Sequence, residues 1–439
     1  MLKELYHSVM QSMLGKYAVY VVNLISLMIL SRQFSPTDFG IIASVTVFYL
    51  FFQLMAEAGI GPAIINQDKL TVDERNGIYS LTILVGLILG ILFFSISPLL
   101  EQFYQTQNII SVVPHVAFSI FFFTASVVPI AALLKQQSFY NLAFANLLSE
   151  IISTICVLAL KHYIESIDAL ASRISISSVT TFIMVWILSK NTDIGRPTLG
   201  KNLSAIYPLL SFSGYQFAFN FVNYFSRNLD NLLVGRYMGV SALGFYEKSY
   251  QLMRYPLMLL TFAMTPAIQP VIRKYASDVI AVERIHQEFT FKLSIIGVIV
   301  AVCFLLLSET IVLVVLGPQW MQVVPIIEIL ALTIPVQVVL STSGSFFQAM
   351  GRADLLFKSG LISAVFMISA IVVGILFNSI ELLCWLLLIA FHINFIQAYY
   401  YLYFKVFLVS SLGFITKMIP LWLSGFVLVA IKIQFLNES

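Results

Sequence analysis

The chain has 439 residues, of which 59% are hydrophobic and only 10% are charged, and its mean hydropathy is +0.94. Soluble domains carry about 25% charged residues, so this composition excludes a water-soluble protein. The net charge of +3 includes no basic run, which argues against a nucleic-acid partner. The five His are scattered and the three Cys each lie in an apolar stretch. We therefore expect no metal site, no cofactor and no disulfide.

Thirteen apolar stretches follow one another along almost the whole chain. A helix that crosses a membrane needs about 20 apolar residues. The stretches therefore predict an all-α polytopic membrane protein with 12–14 transmembrane helices. The predicted helices are 11–31, 39–62, 77–98, 109–134, 142–161, 168–189, 206–235, 242–269, 288–316, 322–349, 354–377, 380–404 and 411–433. The polar stretch 273–288 is one of the longest predicted connections between them.

The basic residues predict which way these helices point. With the N-terminus in the cytoplasm, 16 of the 24 Lys and Arg fall on the cytoplasmic side and four on the outer side. Cytoplasmic loops of membrane proteins carry the excess of Lys and Arg, so we expect this orientation. The first helix lacks a small-residue cleavage site, and we expect it to remain as a spanning helix. Because thirteen is an odd number, the true helix number and the side of the C-terminus are left open.

The sequence matches itself without gaps when it is shifted by 204 residues. The matched segments are 30–32 with 234–236, 39–40 with 243–244, and 62–64 with 266–268. Six helices lie between the copies, so the halves point the same way, as in transporters built from parallel repeats. We predict an N-terminal six-helix lobe at 1–195, a C-terminal six-helix lobe at 196–404, an additional helix at 405–439, and a central cavity. The alternative is a chance match, because membrane helices use few residue types.

Polar side chains recur at three- and four-residue spacing on several predicted helices, which places them on one helix face. The seventh helix has Ser213, Gln216, Asn220, Asn223, Arg227 and Asp230, and the eighth has Glu247, Gln251, Arg254, Met258, Thr261 and Thr265. Shorter stripes are Ser12, Lys16, Asn23 and Ser26 on the first helix and Arg173, Ser177, Thr180 and Thr181 on the sixth. A charge in the middle of the membrane costs about 2.5–3.5 kcal/mol, so such faces line a bundle interior or a wet cavity.

These stripes predict a water-filled cavity lined by cations, which suits an anionic cargo that carries phosphates. The candidate substrate-binding residues are Arg227, Arg254, Lys248, Arg173, Asn220, Asn223, Gln216, Gln251, Asn23 and Lys16. Candidates for coupling transport to H⁺ or Na⁺ are the carboxylates of Asp230, Glu247, Glu57 and Glu150. The alternative is internal pairing, of Arg227 with Asp230 and of Arg254 with Glu247 through Gln251, which would explain the carboxylates without a coupling role.

Three segments, 31–44, 54–74 and 225–256, resemble the bacterial polysaccharide-transporter (Wzx-type) flippases. These belong to the multidrug/oligosaccharidyl-lipid/polysaccharide exporter superfamily, which also includes drug antiporters and lipid II flippases. The resemblance implies transport of undecaprenyl-diphosphate-linked sugar units across the bacterial cytoplasmic (inner) membrane, for O-antigen, capsule or exopolysaccharide. It also implies two six-helix lobes with a cationic cavity, no ATPase activity, and an ion gradient or membrane potential as the driving force. Thirteen predicted helices depart from the 12 or 14 of that family.

Two other functions remain open at this point. A drug or metabolite antiporter of the same superfamily would need a cavity dominated by carboxylates, whereas basic residues prevail here. A membrane polysaccharide polymerase or ligase would need a large outer loop, but the longest outer connection is about ten residues, so we expect no enzyme activity. Expected partners are the lipid-linked oligosaccharide, membrane lipids and other polysaccharide-assembly proteins. The sugars, the driving ion and the oligomeric state are not predicted.

Overall fold

The computed structural model describes residues 2–57, 59–67, 70–206, 224, 228–262, 265–419 and 422–423. It describes the backbone alone at 2–13, 66, 262, 265–267, 270 and 274. The described residues are almost entirely helical and include no β-strand, which confirms the predicted all-α fold. The helices are α1 Leu2–Gln33, α2 Pro36–Glu57, α3 Ile60–Asn66, α4 Val72–Ser95, α5 Ser97–Tyr104, α6 Ile109–Lys135, α7 Phe139–Leu160, α8 Ser166–Leu188, α9 228–237, α10 Val240–Phe262, α11 Thr265–Lys274, α12 Val279–Val315, α13 Val323–Ala331, α14 Ile334–Ala349, α15 Ala353–Leu376, α16 Ile380–Tyr400 and α17 412–419. A short π-helix, Tyr401–Phe407, follows α16.

Nine helices in the described part of the chain are long and apolar enough to cross a membrane, and α13 with α14 would make a tenth. The chain is therefore a polytopic membrane protein. Most of the predicted helix 206–235 and of the predicted helix 411–433 lies outside the described residues. The predicted number of thirteen accordingly stays a prediction.

α12 begins nine residues before its predicted start, and the polar stretch 273–288 is therefore not simply a connection. Asp278 caps the helix, because its Oδ1 accepts the N–H of Ala281 at 3.0 Å. His286 and Val282 are completely buried, so this end of the helix packs in the core. Its 37 residues span about 55 Å at 1.5 Å per residue, longer than a ~30 Å hydrocarbon core.

The predicted helix 322–349 is divided into α13 and α14, which meet at a bend of 54°. Pro335 lies in the first turn of α14, where its missing N–H costs no helical hydrogen bond. Gly297 of α12 faces it, and a Cβ there would lie 2.9 Å from the Pro335 Cα. A break also divides the predicted helix 39–62, where α2 ends at Glu57 and Gly59 has a φ of 76°.

The chain folds into two compact units, Met1–Gly244 and Phe245–Ser439. In the first unit, apolar side chains of α2, α4, α6 and α8 form one core cluster. In the second unit, the corresponding cluster is aromatic and joins α12, α14, α16 and α17. The predicted lobe boundaries, at 195/196 and 404/405, are not tested by this division and stay predictions.

Within the first unit, the first turns of α2 and α10 touch through their backbones. A Cβ on Gly40 would lie 1.7 Å from the Val240 carbonyl oxygen, and one on Gly244 would lie 2.1 Å from the Pro36 carbonyl oxygen. Gly244 and Val240 are the residues that follow Gly40 and Pro36 by 204 positions. The contact is therefore reciprocal, as it is across a two-fold axis. This reciprocity supports the predicted repeat, whose full extent remains a prediction.

Candidate functional site

α10 carries a polar cluster centred on Lys248, whose residue surface is only 7% exposed. The Lys248 Nζ lies 2.9 Å from Glu247 Oε2 and donates a hydrogen bond of 2.8 Å to Gln251 Oε1. Gln251 Nε2 in turn lies 3.5 Å from the hydroxyl of Tyr255. Lys248, Gln251 and Tyr255 share one face of the helix because they are three and four residues apart. The structure thus brings together three residues predicted for the site: Glu247, Lys248 and Gln251.

Arg254 lies on the same helix but is exposed, and its guanidinium carbon is 5.8 Å from the centre of the Tyr250 ring. The carboxylate of Glu247 pairs with Lys248 and not with Arg254, contrary to the alternative drawn from the sequence. The reason is geometric, since Lys248 is adjacent to Glu247 whereas Arg254 is two turns away.

A second ion pair joins α7 to α8 inside the first unit. The Arg173 Nη2 contacts Glu150 Oε1, and the two side chains are 32% and 12% exposed. The Arg173 Nε is buried and has no hydrogen-bond partner in the part of the chain that the structure describes. Both residues were predicted for the site from the sequence, but for separate roles. Their pairing was not predicted, because it depends on how two different helices pack.

Two hydrogen-bonded pairs include residues close in sequence to this ion pair. The Ser177 Oγ lies 3.4 Å from the Ser149 Oγ, and Ser175 Oγ lies 3.0 Å from His115 Nδ1. Ser149, Ser175 and His115 were not among the residues predicted for the site. Sequence proximity could have indicated two of them, since Ser149 adjoins Glu150 and Ser175 is two residues from Arg173. His115 could not be predicted, because its place depends on how α6 packs beside α8.

The predicted residues of α1 lie on the helix that packs against α7. Lys16 is exposed and Asn23 is half-buried. One turn after Asn23, the buried Ser26 Oγ accepts a hydrogen bond of 2.9 Å from Thr154 Oγ1 and ties α1 to α7. This part of the stripe holds helices together.

The remaining predicted carboxylates lie at different places. Asp230 of α9 is 9% exposed, and its Oδ1 accepts the N–H of Asn231 at 2.8 Å. Glu57 is exposed at the end of α2. The predicted residues that lie outside the described part of the chain are Arg227, Gln216, Asn220 and Asn223. Among described residues, no three His, Cys, Asp or Glu come together as metal ligands.

Each unit therefore contains a cationic side chain held by a carboxylate inside an apolar helix, with amide or hydroxyl groups beside it. Guanidinium and ammonium groups bind phosphate oxygens through charge-assisted hydrogen bonds. Amides and hydroxyls bind sugar hydroxyls by donating and accepting at once. This combination of groups suits a ligand that is both anionic and rich in hydroxyls.

Comparison with known proteins places the chain among polysaccharide-assembly proteins. A family model described as "Polysaccharide biosynthesis protein" matches residues 29–325. The teichuronic acid biosynthesis protein TuaB of Bacillus subtilis is 24% identical over 344 residues, which cover 77% of this chain and 70% of that protein. The lipopolysaccharide biosynthesis protein WzxC of Escherichia coli is 22% identical over 357 residues, or 80% and 71% of the two chains.

A solved structure shares the fold over nearly the whole chain. The lipid II flippase MurJ, in an inward closed conformation, superposes with a TM-score of 0.74 and covers 96% of this chain and 92% of its own. The sequence identity is 12%, so this likeness concerns the fold alone.

Proposed function

This chain belongs to the polysaccharide biosynthesis protein family, and on that premise we propose that it is a flippase for undecaprenyl-diphosphate-linked oligosaccharides. The observation that carries the proposal is the family match over residues 29–325 of a chain built from membrane helices. The MurJ fold supports it, because a scaffold of this kind is compatible with moving a lipid-linked cargo. The product would enter O-antigen, capsule or exopolysaccharide.

The flippase lies in the bacterial cytoplasmic (inner) membrane with its N-terminus in the cytoplasm. Support for this orientation is the 16-to-4 division of Lys and Arg between the two sides. The cargo therefore enters from the cytoplasmic side, where its sugars are attached, and leaves on the outer side.

The chain's own residues bind the headgroup while the polyprenyl tail stays in lipid. Arg227 and Arg254, with Lys248 and Arg173 in support, replace the water that the diphosphate loses. The exposed guanidinium of Arg254 and the hydrogen bond between Lys248 and Gln251 support this assignment on α10. The amides that would bind sugar hydroxyls are Gln216, Asn220, Asn223 and Gln251, and Lys16 and Asn23 of α1 complete the proposed set.

No bond of the cargo is made or broken in this proposal, so the protein acts as a transporter and not as an enzyme. An ion gradient or the membrane potential resets it after each crossing. The carboxylates proposed to bind the coupling H⁺ or Na⁺ are Asp230, Glu247, Glu57 and Glu150. Other polysaccharide-assembly proteins are its proposed partners, since they would supply the cargo and receive it.

The test replaces the native gene in the producing bacterium by a gene that encodes the Arg254→Ala variant. We expect surface polysaccharide to fall at least about tenfold, because a hydrogen bond to a charged group contributes about 1.5–3 kcal/mol. Lipid-linked oligosaccharide should accumulate in the inner leaflet at the same time. Lys292→Ala, which removes an exposed Lys paired with Glu288, is the matched control and should leave the polysaccharide unchanged. Normal surface polysaccharide in a strain without any copy of the gene would contradict the proposed function.

A further inference from the structure

The ion pair between Glu150 and Arg173 lies deep within two membrane helices. Glu150 is eleven residues from the start of α7 and ten from its end. Arg173 is seven residues into α8, which is about 10 Å at 1.5 Å per residue. Neither residue is near a helix end, so each charge needs a partner inside the protein.

The Arg173 guanidinium has two N–H groups on the edge that faces Glu150, and only one of them has a partner among the described residues. Its Nε and Nη2 form one edge, which can bind two oxygens of a carboxylate or phosphate in parallel. Nη2 contacts Glu150 Oε1, whereas the buried Nε has no hydrogen-bond partner among the described residues. A buried donor without a partner costs about 1–3 kcal/mol, so this arrangement is not the best one available to Arg173.

The ion pair is also partly exposed. The Arg173 side chain is 32% exposed, more than the 12% of Glu150. Ser149 adjoins Glu150 in α7, Ser177 follows Arg173 by one turn of α8, and their hydroxyl oxygens are 3.4 Å apart. An incoming anion would therefore meet the guanidinium before the carboxylate and would find hydroxyl donors beside it.

We propose that Glu150 is an internal counter-anion, which keeps Arg173 paired while the site is empty and is displaced when the diphosphate headgroup binds. This inference rests on the proposed function, because it takes the anion to be the headgroup of the cargo. A phosphate group presents the same paired oxygens as a carboxylate and fills both Nη2 and Nε. The displaced carboxylate of Glu150 then repels the headgroup at short range, which favours release on the other side.

If Glu150 has this role, removing its charge should raise the affinity for the headgroup and lower the rate of transport. In Glu150→Gln, Arg173 is no longer held by a carboxylate, so the headgroup binds without competition and leaves more slowly. A merely structural ion pair would behave differently, since breaking it would leave Arg173 uncompensated and weaken both binding and turnover.

The test measures binding of farnesyl diphosphate to the purified full-length protein, followed by transport of lipid-linked oligosaccharide in proteoliposomes. We expect Glu150→Gln to bind farnesyl diphosphate about five- to tenfold more tightly, a difference near the 1.4 kcal/mol of a tenfold change, and to transport more slowly. Arg173→Gln should bind it more weakly than the wild type. Glu328→Gln is the matched control, because that carboxylate is also in an apolar helix but accepts a hydrogen bond of 2.5 Å from Ser308 in the second unit.

Two further probes identify which part of the cargo is recognised. Inorganic pyrophosphate carries the headgroup alone and should also bind more tightly to Glu150→Gln, whereas farnesol carries the chain alone and should show no difference. Unchanged or weaker binding of farnesyl diphosphate by Glu150→Gln would overturn the counter-anion role and leave the flippase proposal standing. If the wild-type protein binds neither diphosphate, the proposed function fails together with this inference.

Discussion

The ammonium group of Lys248 is the most deeply buried described charge on α10, and its partners decide whether that burial is tolerable. Its contacts with Glu247 and Gln251 satisfy the ammonium group where water is scarce. Replacing one member of a buried ion pair is more harmful than replacing both, because the remaining charge is left without compensation.

We predict that Lys248→Met lowers the free energy of unfolding by about 1–3 kcal/mol. The double variant Lys248→Met/Glu247→Gln should regain part of that loss. The measurement is the melting temperature of the purified protein in detergent. Lys292→Met is the control, because its pair with Glu288 is exposed to water and contributes little to stability. Equal losses for the two Lys variants would contradict the stabilising role of the Lys248 cluster.

Single-helix patterns were predictable at this scale, and contacts between helices were not. The sequence predicted Glu247, Gln251 and Arg254 on one face of α10, because residues three and four apart share a helix face whatever the tertiary fold. It did not indicate that Lys248 contacts Glu247 and Gln251. The contact of Arg173 with Glu150 follows from the packing of α7 against α8, about which hydropathy carries no information.

At the scale of helices, the crossing of α2 and α10 allows no side chain on either glycine. A methyl group on Gly40 would overlap the Val240 carbonyl, and the backbones would have to separate. We predict that Gly40→Ala and Gly244→Ala each lower the melting temperature, with a cost of at least about 1–3 kcal/mol from overpacking. Gly360→Ala is the control, since a Cβ there meets nothing within 4 Å and alanine favours the helix by about 0.5–1 kcal/mol. A loss in Gly360→Ala as large as in Gly40→Ala would show that the crossing is not the cause.

His286 lies in the early part of α12, within the stretch 273–288 that the sequence predicted to be a connection. Its Nδ1 lies 2.9 Å from the Tyr403 hydroxyl in the π-helical turn, among the rings of Phe346, Tyr399 and Phe414. Hydropathy cannot distinguish a helix that continues beyond the membrane from a loop, because both are polar. The aromatic partners come from distant parts of the sequence, so this packing was not predictable.

The His286–Tyr403 hydrogen bond should be visible in a double-mutant cycle. We predict that Tyr403→Phe costs about 1–3 kcal/mol, because it removes the partner of a buried imidazole nitrogen. The variants His286→Phe and Tyr403→Phe should show a coupling energy of about 0.5–3 kcal/mol when they are combined. Denaturation followed by tryptophan fluorescence would measure it. Strictly additive effects would mean that the two side chains do not stabilise each other.

For the whole molecule, the class of protein and the family were predictable from the sequence. Long apolar stretches are a direct consequence of the thickness of the membrane, so the polytopic all-α fold follows from sequence alone. The bend of 54° between α13 and α14 divides the predicted helix 322–349, and α2 ends at Glu57 inside the predicted helix 39–62. Length and hydropathy do not report breaks inside an apolar stretch.

The predicted orientation can be tested by labelling single cysteines in a variant that lacks Cys156, Cys303 and Cys384. Tyr163 follows α7 and is 85% exposed, and Lys201 is exposed in the segment that follows α8. We predict that Tyr163→Cys reacts with a membrane-impermeant maleimide in intact spheroplasts, and that Lys201→Cys reacts only in inside-out vesicles. The reverse pattern would place the N-terminus outside.

Transport by the purified protein tests the proposed flippase function most directly. The wild-type protein, reconstituted in liposomes, is supplied with a lipid-linked oligosaccharide, and the sugars that reach the opposite leaflet are measured with a membrane-impermeant lectin. We predict that the protein accelerates crossing of this diphosphate-linked lipid well above protein-free liposomes, and that Arg254→Ala removes most of the acceleration. Crossing at the protein-free rate, together with uptake of a cationic dye, would contradict the account and identify the chain as an antiporter instead.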